Sequence, residues 1–418
     1  MRDYSSTHNC CAVSFRAEDN INVAIAPNAL MISKISDVPN IKPHRVTNED
    51  EKNGKEEPTE VIETITRLEM PMTFERAQAQ HFAFLLAFGL GAVQSDVIHP
   101  SGVYLHNIMP INGEYDKVRS NPSFTLMARV GDTVAQDVFP SVFVDSVTAK
   151  FEKDKHASIS AKLAGTGCRN QGCEKREYTY TGDTTELNAE NILDNNVDNI
   201  HSVDVLVDGA WMPVDVVAVE SGKIVIRKRD DLDAEDNYTF RVVYLPEISI
   251  IMPTAPIFET PLFVSDITVH VGGKWTGDQF VGGRSLDADL DSISYDLENN
   301  LSFETGFGGN TITHANRVYR ERRSQRITIE KKFKDMIMQA QHIANDNISL
   351  HIKAMGKEFY GNEAYIVEMI FPKLGFSSGT IGVDDRKNIE SFEMVVLEDS
   401  GDSVIVRVKN AVEKYIHT

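Results

Sequence analysis

Four acidic side chains, Asp287, Asp289, Asp291 and Glu298, fall at the first, third, fifth and twelfth places of a calcium-binding loop. The sixth place, where glycine makes the sharp turn, holds Ser292. Leu286, Ala288 and Leu290 alternate with the aspartates, as they would along a strand with one polar face. The polar-faced strand is the expectation and calcium the weaker alternative. A second cluster, Arg317, Arg320, Arg322, Arg323 and Arg326, crowds cations into ten residues. Its chemistry allows nucleic-acid contact, a solvated loop, or pairing with acidic groups of an adjacent subunit. Only Tyr319 supplies an interleaved aromatic. The nucleic-acid alternative is therefore the weakest of the three.

Signs of catalysis are sparse. The run Gly306–Asn310, G-F-G-G-N, lacks the lysine of a phosphate loop. Neither a G-x-S-x-G elbow nor an H-E-x-x-H pair occurs. No catalytic activity and no cofactor are expected. Cys10 and Cys11 are neighbours, and Cys168 and Cys173 flank R-N-Q-G. These four are expected as free thiols, with a local disulfide or half a metal site as alternatives.

Composition bounds the rest. A chain of 418 residues with 41% hydrophobic and 25% charged residues suggests two or three globular domains. The longest apolar run, Phe82–Val93, is short of the roughly 20 residues that span a bilayer. The first residues show no apolar signal-peptide core, so folding in a cytoplasm is expected. The net charge of −20 disfavours a basic nucleic-acid face. Half of it lies between Gln171 and Ile257, with 17 acidic and 7 basic residues.

That acidic stretch reads as its own unit. Strands are predicted at Ser202–Val207, Trp211–Val219, Lys223–Arg229 and Asn237–Leu245, with Asp208-Gly209 and Ser221-Gly222 as turns. Trp211 and Tyr244 are core candidates. The expected organisation is an N-terminal, partly flexible arm over 1–58, a β-domain over 59–172, an inserted Ig-like β-sandwich over 173–257, and the rest of the β-domain over 258–418. The flanking parts alternate as strands on one buried face, from Pro122 to Gly167 and again from Leu262 onward. A helix is predicted from Thr73 to about Gln94, capped by Thr73, stopped by Gly89 and Gly91, and packed on the side of the sheet. A second, Lys334–Asn345, puts Phe333, Ile337 and Ala340 on one side. H-V-G-G-K-W at His270–Trp275 reads as a turn.

The order of these pieces carries a resemblance. L-A-F-G-L-G-A-V, H-N-I-M-P-I and P-S-F-T-L-M-A-R, and later I-F-P-K-L-G-F, a polar loop, I-E-S-F-E-M-V-V-L-E-D and V-R-V-K-N-A-V-E-K-Y, are similar to the two halves of tail tube proteins of long-tailed bacteriophages. The likeness covers roughly Val61–Gly167 and Pro261–Tyr415, about two-thirds of the chain. It implies a mainly β fold, a tail-tube-type β-sandwich or barrel with flanking helices. It also implies self-assembly into stacked rings, usually six-fold, forming the tube through which DNA leaves the capsid without specific binding. Tape-measure and tail terminator or initiator proteins would be partners, in a virion tail made in the bacterial cytoplasm. Asp287, Asp289 and Asp291 become a candidate lumen face, and the Arg317–Arg326 run a candidate inter-subunit loop. An external inserted domain favours a non-contractile tail. The alternatives are a glycan- or surface-binding tail module using Trp211 or Trp275, and a ring-only distal tail component.

Overall fold

A computed structural model describes residues 9–47, 61–111, 121–129, 137–170, 172–188, 191–247, 250–305, 314–384, 387–399 and 401–416. Strands hold 59% of the chain and helices 8%, so the protein is mainly β. It divides into two compact units. One comprises Met1–Cys11, Met127–Val138 and Arg169–Met252; the other comprises Ala12–Leu126, Phe139–Cys168 and Pro253–Thr418.

The smaller unit is a two-sheet sandwich. Glu174–Thr181, Asn237–Tyr244, Ile200–Val207 and Ala210–Pro213 form one sheet; Glu186–Asn188, Lys223–Ile226 and Val216–Glu220 form the other. Alternate residues meet in one core of Leu187, Val203, Val205, Ile224, Ile226, Phe240, Val242 and Tyr244. Asp208-Gly209 (φ +51° and +81°) and Ser221-Gly222 (φ +50° and +79°) close two-residue hairpins in the left-handed geometry that matches strand twist. The stretch predicted as one strand, Trp211–Val219, is broken after Pro213 and crosses to the second sheet. Trp211 leaves the core: it faces outward, with the Arg241 guanidinium 4.2 Å from its ring centre. Tyr244 is fully buried.

The larger unit is organised around Glu363–Asp384, a strand of 22 residues. On one side, Ile366–Ile370 pairs with Ile405–Asn410, followed outward by Val103–Pro110 and Gly91–His99. From Lys373 onward the same side pairs instead with Lys387–Leu397. The ladder then continues through Ser324–Lys332, Leu290–Glu298, Asp137–Glu152, Ser158–Gly165 and Val61–Phe74 to Asn40–Thr47. Pro372 sits at the fork between the two partners. Proline has no N–H to give a ladder, so the handover falls where a hydrogen bond is missing anyway. On its opposite side the long strand pairs with Ile348–Tyr360, then Ile267–Trp275 and Phe280–Ser285. The His270–Trp275 run, predicted as a turn, is thus mostly strand, and the turn falls at Thr276–Gln279.

The helix Ala79–Leu90 lies between the two limbs of this fork, and every one of its residues is buried. Phe82 stacks on Phe151 of one limb at 5.7 Å. Phe84 and Phe88 meet Phe124 edge-on at 5.0 Å, and Phe15 joins Phe84 to Tyr415. A helix enclosed on all sides needs apolar residues all round, as A-Q-H-F-A-F-L-L-A-F-G-L has. This corrects the expectation of a helix on the outside of the sheet. Its start is also later than predicted, because Thr73 belongs to the strand Val61–Phe74 and Gln78 is the cap. Gly91 (φ +98°) ends it, in a conformation where an added Cβ would meet Ile111 at 2.5 Å.

The expected N-terminal arm is largely part of the body. Ser14 and Phe15 are buried, and Glu18 accepts from the Ser141 N–H and hydroxyl, the Ser123 hydroxyl and the Thr125 hydroxyl. Two of these hold Ser141 at φ +55°, a strained value for a residue with a side chain. Asn22 adds bonds to Ser141, Thr166 and Ala315. Residues 1–8 and 48–58 of the arm lie outside the described residues.

Candidate functional site

The aspartate series does not form one strand face. Leu286–Asp289 is a turn between Phe280–Ser285 and Leu290–Glu298. Asp287 accepts the Val269 N–H at 2.6 Å, and Asp289 pairs with Lys334. Seven residues of extended strand separate Asp291 from Glu298, about 23 Å at the usual rise. Glu298 instead accepts from the Ser324 hydroxyl at 3.2 Å. A calcium loop must bring all four carboxylates onto one ion. That loop does not form, and Asp287, Asp289 and Asp291 are not successive residues of one strand face. Among the described residues no group of three or more His, Cys, Asp or Glu could hold a metal ion. The sequence pattern misled because Leu286 is buried by a turn, which alternation alone does not distinguish from a strand.

The arginine run separates into two kinds. Arg317, Arg322 and Arg326 are exposed, and Arg326 pairs with Glu393 across the ladder at 3.2 Å. Arg320 is buried. Arg323 turns inward and donates to the last carbonyls of the enclosed helix, Gly89 O at 3.2 Å and Leu90 O at 2.9 Å, and to Asn299 Oδ1. Burial, reinforced by Arg320 and opposed by Tyr295, pulls the Arg323 guanidinium down to about 10. Two members of the proposed inter-subunit loop are therefore internal fixtures. The run G-F-G-G-N at Gly306–Asn310 lies outside the described residues. The four cysteines are free.

Other charged groups serve the fold. Glu368 accepts from His351 at 2.8 Å and from Arg407 at 3.2 Å, while Trp275 lies 5.7 Å from the Arg407 guanidinium. Burial by itself would raise the Glu368 carboxyl. The His351 hydrogen bond and the His351, Arg407 and Lys353 charges outweigh it and hold it below the ordinary range. Trp275, like Trp211, lies beside an arginine. At the start of the enclosed helix, Glu259 accepts the Gln80 N–H at 2.7 Å, and burial pushes its carboxyl up to about 7. His81, buried beside it, is pulled down to about 3 by the same cause. They line a cavity of about 470 Å³ with Ile32, Phe74 and Phe258.

A surface with unused bonding capacity lies on the hairpin Glu363–Asp384/Lys387–Leu397. From Phe376 to Asp384 the first strand pairs with the second, but no described strand pairs with its outer edge. The resemblance predicted a polar loop here. Instead the ladder runs on to the Asp384–Lys387 pair, so the S-S-G-T-I-G-V stretch is an edge strand. It carries no charge from Leu374 to Val383. Ile381 is 52% exposed and Val383 73%. Register puts Gly379 and Ile381 opposite Phe392 and Glu390, on the face where a second helix, Ile337–Ala344, packs. That helix is inside out. Its buried residues are Met338 and Gln339, with Gln339 donating to buried Glu390, itself paired with buried Lys331. Met336, Ile337, Ala340, Ile343 and Ala344 are exposed, Ile343 to 78%. The side that carries Ile337 and Ala340 faces solvent. Polar contacts hold the helix down and an apolar stripe faces out, a pattern that suits burial against another molecule.

Among the described residues no helix is long and apolar enough to cross a membrane. No protein-family model matches the chain, and no curated protein matches it.

Proposed function

We propose that this chain is a structural subunit that polymerises, as the tail tube protein of a long-tailed bacteriophage, into stacked rings around a DNA-conducting channel. The observation that carries the reading is the uncharged, unpaired edge Phe376–Val383 beside the outward apolar stripe of Ile337–Ala344. Long edges of this kind are aggregation hazards unless a partner strand covers them. A protein whose working state is an assembly has that partner in its neighbour. The enclosed helix supports the reading too, since a core closed around it leaves a rigid body able to repeat. The order of sequence pieces described above is the ground for choosing a tail tube over another polymer.

In this role the channel needs no DNA-binding face, and the net charge of −20 suits unhindered passage. Six-fold rings, the tape-measure and terminator partners and the place in a virion tail come with the tail-tube reading. No catalytic role is proposed.

Negative-stain electron microscopy of the purified protein across a concentration series tests it. Hollow rings or stacked tubes that grow with concentration are the expected result. Rings that never stack would favour a ring-only tail component. A monodisperse monomer at every concentration, with and without added tail initiator, would sink the reading.

A further inference from the structure

The ladder built on Glu363–Asp384 ends, among the described residues, in four open edges: Asn40–Thr47, Phe280–Ser285, Gly91–His99 and the outer part of Glu363–Asp384 itself. Two are guarded. Asn40–Thr47 carries Lys42, Pro43, His44 and Arg45, so one N–H is missing and cations line the strand. Phe280–Ser285 is interrupted by Gly282 and Gly283 at φ +77° and +91°, then by Arg284, which bends its bonding groups out of line.

The other two carry neither lysine, arginine nor proline, and each has one register shift, at Phe376/Ser378 and at Val97/His99. Phe376–Val383 has no charge and no proline. Gly91–His99 has one acidic residue, Asp96, and exposes Val97 to 61% and Ile98 to 46%. Lys373 and Lys387 flank the uncharged edge on the same hairpin. That run has Lys373 before it and Asp384 and Asp385 directly after it, and the other edge carries a single aspartate. A ladder that lines one edge with cations and proline, bends another, and leaves two with exposed apolar residues has the makings of a head-to-tail contact.

We infer that the Phe376–Asp384 edge of one copy pairs with the Gly91–His99 edge of the next, joining neighbouring subunits into one continuous sheet. The added strand would lie beside Ile381 and Val383, on the side where Ile337–Ala344 displays its apolar stripe. Two different surfaces meet in each contact, so it repeats until rotation closes a ring. This inference rests on the self-assembly reading of the preceding section and names the surfaces that would carry it.

The test mixes two variants of the full chain, each with one added cysteine, Ile381→Cys and Val97→Cys, under assembling conditions with a short bismaleimide. The expected product is a cross-linked pair formed in the mixture and several-fold weaker with either variant alone or with the parent protein, whose four native thiols set the background. Ile381→Lys and Val97→Lys, each an exposed edge substitution, should both raise the concentration for half-assembly about ten-fold or more. Circular dichroism of the monomers checks that neither variant has unfolded. Assembly without the mixed cross-link, or Ile381→Cys linking only to itself, would overturn the pairing while leaving the assembly reading intact. Absence of any assembly in the parent protein would overturn both.

Discussion

At the scale of single residues, the most consequential pair is Glu259 and His81, both buried at the start of the enclosed helix. Glu259 takes the place of the acidic first-turn residue that the helix itself lacks, reaching in from a distant part of the chain to accept the Gln80 N–H. Its folded value of about 7 lies above the ordinary 4.5. Its contribution to stability is thus fully present below pH 4.5 and is lost as pH rises through about 7. For His81 the sign reverses. A folded value of about 3 against 6.5 gives a contribution present above 6.5 and lost as pH falls toward 3. Between pH 4.5 and 6.5 the two slopes oppose each other. Glu259→Gln keeps an acceptor for Gln80 and leaves His81 alone, so the variant should lose stability on acidification through that window more steeply than the parent. The added slope is at most about 1.4 kcal/mol per pH unit. Urea unfolding at several pH values measures it, and identical slopes for variant and parent would refute the coupling. Nothing in the sequence around Glu259, F-E-T-P, marks it as a helix cap, because the contact joins positions 179 apart.

At the scale of elements, the two helices show what could and could not be read in advance. The Thr73–Gln94 region announced a helix through its phenylalanines and its glycine stop, and Gly91 does end it. Its burial on every side was not legible, because one apolar helix reads the same whether one sheet limb covers it or two. The enclosed C-terminus explains Arg323. The last carbonyls of a helix need partners, and water cannot supply them inside a core. A guanidinium is the group that reaches both Gly89 O and Leu90 O. Arg323→Met should therefore lower stability by about 2–3 kcal/mol, while Arg322→Met, on an exposed neighbour, should change it by less than about 0.5. Denaturant midpoints at neutral pH compare the two, and equal midpoints would show the run to be a uniform solvated loop after all. The second helix is the opposite case. Ile337 and Ala340 define an apolar side, and apolar sides normally face the body. Here buried Glu390 and Lys331 require a polar underside, supplied by Gln339. Likewise Ser377–Val383 read as a loop because serine, glycine and threonine are turn formers, whereas the ladder with Lys387–Leu397 makes it strand.

At the scale of the whole molecule, the net charge of −20 sets a test between two kinds of interface. Copies carrying that charge repel, and added salt screens the repulsion. An interface made from the Arg317–Arg326 cations and acidic groups of a neighbour would also lose its attraction on screening. Arg323 and Arg320 are committed internally and Arg326 already faces Glu393, so little of that run is free for a neighbour. An interface made from the Phe376–Asp384 and Gly91–His99 edges is mostly backbone hydrogen bonds and apolar contact, which salt leaves largely untouched. Raising ionic strength from about 20 mM to about 0.5 M should then lower the concentration needed for assembly, followed by light scattering. Salt that instead dissolves the assembly would point to paired charges at the contact, and would move attention from the strand edges back to Arg317 and Arg322 as the groups that join one subunit to the next.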